Sequence, residues 1–339
     1  MAGQDHGGGI DAARARYGGD RADWLDLSTG INPNPYPLRD VPEAAWCQLP
    51  DSAARDRLIK AARRFWAVPE GAEVIPAPGA SALIAQMPVI AGGKTVLIPG
   101  PTYNEHAAAF RAWRYHVVET DADKDADTCV FVHPNNPTGG LTGPGHPYET
   151  TIIDESFCDV MPGASHIGRA TEPGVVILKS FGKFWGLAGM RLGFAIGDPG
   201  LLSPDDGPTL TQLLGPWALS GPALEIGAQA LEDDDWAAAT RAQLAKDANR
   251  LDRLMEAQGA RCVGGTTLFR LYDVADAKRA FEAFATHHIL TRIFPYSDSW
   301  IRLGLPPENQ WERLETALGT VSGAIRERSD TGSAVPPSR

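Results

Sequence analysis

The chain has 339 residues, 43% hydrophobic and 8% aromatic, enough apolar material for one large and one smaller domain around sizeable cores. Its formal net charge of −11 argues against nucleic acid or an anionic membrane surface as the main partner, because both select basic surfaces. Cys47, Cys129, Cys158 and Cys262 are scattered without paired spacing, which suggests neither a metal site nor a disulfide framework and fits a reducing cytoplasm. The first ten residues have no basic-then-apolar leader pattern and no run approaches ~18 apolar residues, so a soluble protein is expected.

Turn residues cluster at 30–37, 76–79, 134–145 and 199–208 and divide the chain into segments. Between these clusters, short apolar runs at 95–98, 128–132, 151–153, 175–178 and 192–196 read as buried strands separated by helix-like stretches. That alternation predicts an α/β core with a mainly parallel sheet. From 223 to 258 an Ala-rich, charge-laced stretch reads as one or two helices linking the domains. A smaller α+β unit should follow, with strands near 267–271 and 300–304 and helices near 275–287 and 309–326. The last residues, 327–339, have the composition of a disordered tail. In open α/β sheets ligands collect at the carboxyl ends of the strands, and the turn-rich segments sit at such ends.

The densest chemistry lies in LKSFGKFWGLAGMRLGF, residues 178–194, which places Ser180, Lys183 and Arg191 just beyond an apolar strand. A lysine against apolar walls loses proton affinity and becomes a nucleophilic amine toward a carbonyl. Ser180 and Arg191 could hold a phosphate, the arginine as a two-pronged charged donor. Gly79, Ala80 and Ser81 open an apolar helix, whose first N–H groups and dipole favour an anion, although Ser81 as an ordinary cap would look the same. HPNNPTGG at 133–140 follows a strand; taken alone, its NPTG is simply a good turn. Asp154 closes the run TTIID, where a lone aspartate could equally cap a turn.

Taken together and in this order, these segments resemble the class I/II aminotransferases, the pyridoxal-phosphate enzymes of fold type I. In that family a serine precedes the cofactor-binding lysine by three residues and an arginine follows it by eight, which is the spacing of Ser180, Lys183 and Arg191. The resemblance implies a fold type I α/β architecture, a mainly parallel seven-stranded sheet in a large domain with a smaller α+β domain. It implies pyridoxal 5'-phosphate held as a Schiff base on Lys183, its phosphate cradled by Gly79, Ala80, Ser81, Ser180 and Arg191. Tyr103 would stack on the ring, Asn136 would bond its 3-hydroxyl, and Asp154 would keep the ring nitrogen protonated so that the ring acts as an electron sink. Arg302, in WIRLGLP, matches the arginine that grips the substrate's α-carboxylate, and Asn32, in STGINPNP, the asparagine near it. The implied organisation is an N-terminal segment at 1–45 joining the small domain and a dimer interface, a large domain at 46–225, a small domain at 226–326 and the tail. A homodimer with sites completed by the partner follows from the same resemblance.

Within the family, HGG at 6–8, STGINP and the Lys183 segment are most similar to the branch that decarboxylates L-threonine O-3-phosphate for cobalamin biosynthesis. Histidinol-phosphate aminotransferases are the nearest competitor, but that group usually has a tyrosine before Pro50–Asp51, where this chain has Leu49, and a tyrosine at the position of Phe157. Losing that hydroxyl removes one hydrogen bond, worth about 1 kcal/mol. His6, Arg292 and Arg302 with its neighbours are the candidates for binding a substrate phosphate. A non-enzymatic relative is disfavoured by the joint presence of Lys183, Asp154, Asn136 and Arg191.

Overall fold

The computed structural model describes residues 7–120, 125–141, 143 and 148–326. His6 and the expected tail at 327–339 lie outside the described residues. Two compact units divide the chain: a larger one of residues 31–246 and 265–268, and a smaller one holding the residues through 30, 247–264 and those from 269 onward.

The larger unit is built on seven strands: β1 (Glu73–Ala77), β2 (Thr95–Leu97), β3 (His116–Val118), β4 (Thr128–Val132), β5 (Thr150–Asp154), β6 (Val175–Ser180) and β7 (Gly193–Gly197). They lie in the order β1-β7-β6-β5-β4-β2-β3. β6, β5, β4, β2 and β3 run parallel, and β7 runs antiparallel to both of its neighbours, β6 and β1. The expected mainly parallel seven-stranded sheet is therefore present. Every residue of β4, β5 and β7 is buried, as continuous apolar strands covered on both faces must be. The helices include α1 (Ser52–Phe65), α2 (Ala80–Ile90), α3 (Asn104–Ala112) and α4 (Gly221–Leu231). Leu83, Ile84 and Met87 of α2 pack with Ile152, Val176, Leu178 and Ala195 of the sheet in one core cluster.

The stretch read as one or two helices is two, α4 and the 24-residue α5 (Asp234–Ala257). The units part inside α5, later than the expected division at 225/226. The reason is aromatic packing: Trp236 stacks on Trp185 with ring centroids 5.3 Å apart, and Arg241 Nε donates to the Asp159 carbonyl at 2.7 Å. At the other boundary, residues 31–45 go with the larger unit. There Asn32 N donates to the Lys183 carbonyl at 3.0 Å and Tyr36 N to the Trp185 carbonyl at 2.9 Å.

The smaller unit contains a four-stranded sheet of β8 (Arg261–Thr266), β9 (Phe269–Asp273), β10 (Arg292–Phe294) and β11 (Ser297–Gly304) in the order β10-β11-β9-β8. α6 (Ala277–Thr286) and α7 (Trp311–Arg326) complete it, close to the expected positions. A short parallel pairing of Leu25–Asp26 with Ile289–Leu290 ties in the N-terminal residues.

One core strand carries a charge. Lys179 in β6 is 1% exposed, and its ammonium lies 2.6 Å from Glu155 Oε2 and 3.6 Å from Asp159 Oδ1. Glu155 also accepts from Ser165 Oγ at 2.6 Å and from His166 N at 2.5 Å; Asp159 accepts from the indoles of Trp66 at 2.9 Å and Trp185 at 3.0 Å. Burial pushes the Glu155 carboxyl up, but Lys179, Ser165 and His166 outweigh it and hold it below the usual range. Burial likewise pushes Lys179 down, and the two carboxylates hold it above the usual lysine value. The network locks the segment after Asp154 to the strand leading to Lys183.

The signs fix its pH dependence. The Glu155 contribution is present above the ordinary carboxylate pKa and is lost as pH falls through its depressed value. The Lys179 contribution is present below the ordinary lysine pKa and is lost as pH rises through its raised value. Glu155→Gln is expected to cost about 3 kcal/mol in urea unfolding at neutral pH, because it removes the nearer of the two carboxylates from a buried ammonium, and to flatten the acid limb of the stability profile. The paired Glu155→Leu, Lys179→Met variant should lose less. A Glu155→Gln protein as stable as wild type would contradict this reading.

Candidate active site

Parallel strands deliver their following loops to one edge of the sheet, and here β1, β2, β4, β5 and β6 do so. β7 runs the other way, so the residues just before it also arrive at that edge. Eight of the residues read from the sequence line one cavity of about 100 Å³ there: Ala80 and Ser81 after β1, Tyr103 after β2, Asn136 after β4, Asp154 at the end of β5, Ser180 and Lys183 after β6, and Arg191 before β7.

The anion-binding end is formed by the start of α2. Its cap residue, Gly79, has φ +90° and supplies no side chain, and the helix shows no side-chain cap bond. The alternative of an ordinary serine cap therefore does not hold: Ser81 is the second helical residue. A Cβ on Gly79 would lie 2.7 Å from Arg191 Nη2, so only glycine leaves room for the guanidinium over the helix start. Arg191 adopts a left-handed conformation (φ 56°, ψ 60°), donates from Nη1 to the Ala188 carbonyl at 3.1 Å and reaches Ser81 Oγ at 3.5 Å. Helix N–H groups, a hydroxyl and a guanidinium thus converge where a phosphate would sit.

At the other end Asp154 is 2% exposed. Its Oδ1 accepts from Ser156 N at 3.0 Å and Ser156 Oγ at 2.5 Å, and its Oδ2 faces His106 Nε2 at 2.9 Å. Against a carboxylate acceptor, Nε2 is the ring nitrogen that carries hydrogen. Burial pushes the Asp154 carboxyl up, yet the His106 bond and charge, reinforced by Ser156, hold it below the usual carboxylate range. His106 escaped the sequence reading, although its position three residues after Tyr103, on the first turn of α3, was the available signal.

Lys183 lies between these ends. Its Nζ is 5.2 Å from the centroid of the Phe157 ring, an apolar side chain that carries no hydroxyl into the cavity it lines. The turn that carries Lys183 is fixed by its neighbours: Trp185 stacks on Phe181 at 5.1 Å, and Asn32 Nδ2 donates to the Phe184 carbonyl at 2.9 Å while its Oδ1 accepts from Asn34 N at 2.9 Å. Asn32 thus sits against the backbone of the lysine turn, outside the cavity lining.

Arg292 and Arg302 belong to the smaller unit, where they are direct partners across antiparallel β10 and β11. Arg302 is 5% exposed, donates from Nη2 to the Ser28 carbonyl at 2.6 Å and lies over the Phe269 ring at 5.1 Å. Like charges directly opposite on neighbouring strands destabilise a sheet, unless an anion compensates them.

The sequence matches the family model for aminotransferase class I and II over residues 149–319. The chain is 39% identical to a threonine-phosphate decarboxylase of Sinorhizobium sp., covering 93% of this chain and 98% of that protein. The chain belongs to the class I and II aminotransferase family. A threonine-phosphate decarboxylase of Pseudomonas aeruginosa is 38% identical over 93% of this chain and 97% of its own. Among solved structures, the histidinol-phosphate aminotransferase from Sinorhizobium meliloti, in complex with pyridoxal-5'-phosphate, superposes with a TM-score of 0.78 over 94% of this chain and 95% of its own, at 18% identity. That likeness establishes the fold. In this family member, the residues present fit pyridoxal phosphate: an open helix start with Arg191 and Ser81 for its phosphate, Lys183 for its aldehyde and an ionised, buried Asp154 for its ring nitrogen.

His106→Leu is expected to raise the Asp154 pKa and to weaken pyridoxal-phosphate binding. One hydrogen bond to a charged group is worth about 1.5–3 kcal/mol, or about ten- to a hundredfold in affinity. Spectroscopic titration with the cofactor measures the change; unchanged affinity would show that His106 is a spectator.

Proposed function

We propose that this protein is a pyridoxal-phosphate-dependent decarboxylase that converts L-threonine O-3-phosphate into (R)-1-amino-2-propanol O-2-phosphate, a cobalamin precursor. The observation that carries the reading is the nearly full-length likeness, at 39% and 38% identity, to two proteins named for that activity. The paired Arg292 and Arg302 support it, because the substrate brings two anionic groups, a carboxylate and a phosphate. The histidinol-phosphate aminotransferase alternative is the weaker reading.

Bound pyridoxal phosphate supplies a conjugated ring that accepts the electron pair released at the substrate's α-carbon. The chain supplies the rest. Asp154, held ionised, would keep the ring nitrogen protonated, Asn136 would bond the 3-oxygen, and Tyr103 would cover one face. Arg302 would take the α-carboxylate as a planar two-pronged donor, and Asn32 would act by holding the backbone of the lysine turn. His6, Arg292 and Arg302 with its neighbours are the candidates for the phosphate. Orientation would then select the reaction: if the residues around the substrate present the carboxylate as the leaving group, the bond from the α-carbon to the carboxylate would break and CO2 would leave. Lys183 Nζ returns a proton to the α-carbon. If the α-hydrogen were presented as the leaving group instead, the same residues would serve transamination.

We also read the protein as a cytoplasmic homodimer, with no nucleic-acid or membrane partner. Among the described residues no helix is long and apolar enough to cross a membrane. Trp46, Leu49 and Trp217 are each more than 60% exposed, and Trp217 lines a groove of about 450 Å³ with Pro50 and Leu219, an apolar surface suited to a second copy.

Holoenzyme given L-threonine O-3-phosphate without any keto acid should release CO2 over many turnovers while retaining its visible cofactor band, and Lys183→Ala should abolish turnover. The active species should sediment at twice the 36.3 kDa chain mass. Conversion of the cofactor to its amine form without CO2 would mean an aminotransferase.

A further inference from the structure

We infer that Asn135 is a positioning residue for the cofactor ring, tying together the two loops that carry Tyr103 and Asn136. The inference rests on the reading that the cavity takes pyridoxal phosphate. Tyr103 follows β2 and Asn136 follows β4, so the group on the ring face and the group at the ring edge reach the site on separate loops. Asn135 joins them. Its Oδ1 accepts from Thr102 Oγ1 at 2.6 Å and its Nδ2 donates to the Pro101 carbonyl at 3.0 Å, both in the segment that ends at Tyr103. Nδ2 also donates to Thr138 Oγ1 at 2.9 Å, inside the turn that holds Asn136.

The backbone of the same residue closes that turn: Asn135 N donates to the Gly140 carbonyl at 2.9 Å, and Gly139 N donates to the Asn135 carbonyl at 2.6 Å. The far side of the turn is held as well. Gly265 N donates to the Thr138 carbonyl at 2.8 Å, and a Cβ on Gly139 would collide with the Gly265 carbonyl. With the turn fixed from behind, the side-chain amide of Asn135 determines where the Thr102–Tyr103 segment sits relative to Asn136.

The amide cannot be turned around, because one end meets a hydroxyl donor and the other a carbonyl acceptor. Asn135→Asp keeps the volume and the Thr102 bond but sets a carboxylate oxygen against the Pro101 carbonyl. Thr102→Val removes the hydroxyl at the other end. Neither residue lines the cavity, so a change in cofactor behaviour would act through Tyr103 and Asn136.

The test compares wild type, both single variants and the double variant by titration with pyridoxal phosphate, near-ultraviolet circular dichroism of the bound cofactor, steady-state kinetics and urea unfolding. Asn135→Asp should weaken cofactor affinity about tenfold, the effect of one or two lost hydrogen bonds. It should also change the dichroism of the bound ring, and lower kcat with little change in KM. Thr102→Val should do the same more weakly, and the double variant should fall short of the sum of the two, as partners in one network do. Variants with wild-type affinity and dichroism, or losses that only follow global stability, would overturn the assignment alone. Failure of wild type to take up pyridoxal phosphate would overturn the cofactor reading and the assignment with it.

Discussion

A carboxylate removed from water stays ionised only if the groups around it replace the lost hydration, and the site depends on Asp154 meeting that condition. With 2% of its surface exposed, Asp154 is pushed by burial toward its neutral acid form. His106 and Ser156 supply three donors, enough to reverse the direction of the shift. On the proposed reading, that reversal is what would keep a bound ring's nitrogen protonated and able to draw electrons. The position of His106 follows in turn from α3 starting immediately after Tyr103, so one helix start places both Tyr103 at the cavity and the imidazole that bonds Asp154.

The rest of the fold holds this arrangement still. Asp154 and Ser180 end neighbouring strands, and the Glu155–Lys179 ion pair, with Asp159 and two indoles, fastens those strand ends from inside the core. Reversal of β7 brings Arg191 to the edge where the parallel strands deliver their loops. Fixed elements therefore place the donors before any ligand arrives, which is the condition for electrostatic stabilisation at low reorganisation cost.

Much of this was legible in the sequence, and the residues show why. Strands such as TCVFV and TTIID are buried on both faces and so carry short apolar cores, residues 129–132 and 152–153, that stand out from the turns around them. Lys183, Arg191, Asn136 and Asp154 lie on the short segments beside those strands, where local spacing carries the signal. What escaped was non-local. His106 acts on Asp154 from 48 residues away, and Lys179 looks out of place in an apolar strand until Glu155, 24 residues earlier, is seen beside it. β1 and β3 went unread as well: β1 contains Pro76, and β3 is a three-residue edge strand without a fully buried residue. The unit boundaries were set by Trp236 stacking on Trp185 and by the bonds from Asn32 and Tyr36 to the lysine turn, contacts with no signature in local composition.

The central claim is that Asp154 remains ionised in its buried setting and so would hold the nitrogen of a ring bound beside it in its protonated form. The most direct measurement is the ¹⁵N chemical shift of the pyridine nitrogen in holoenzyme loaded with ¹⁵N-labelled pyridoxal phosphate, followed across the neutral pH range. The account predicts the shift of a protonated ring nitrogen throughout, collapsing toward the neutral value in Asp154→Asn. A neutral nitrogen in the wild-type protein would contradict it.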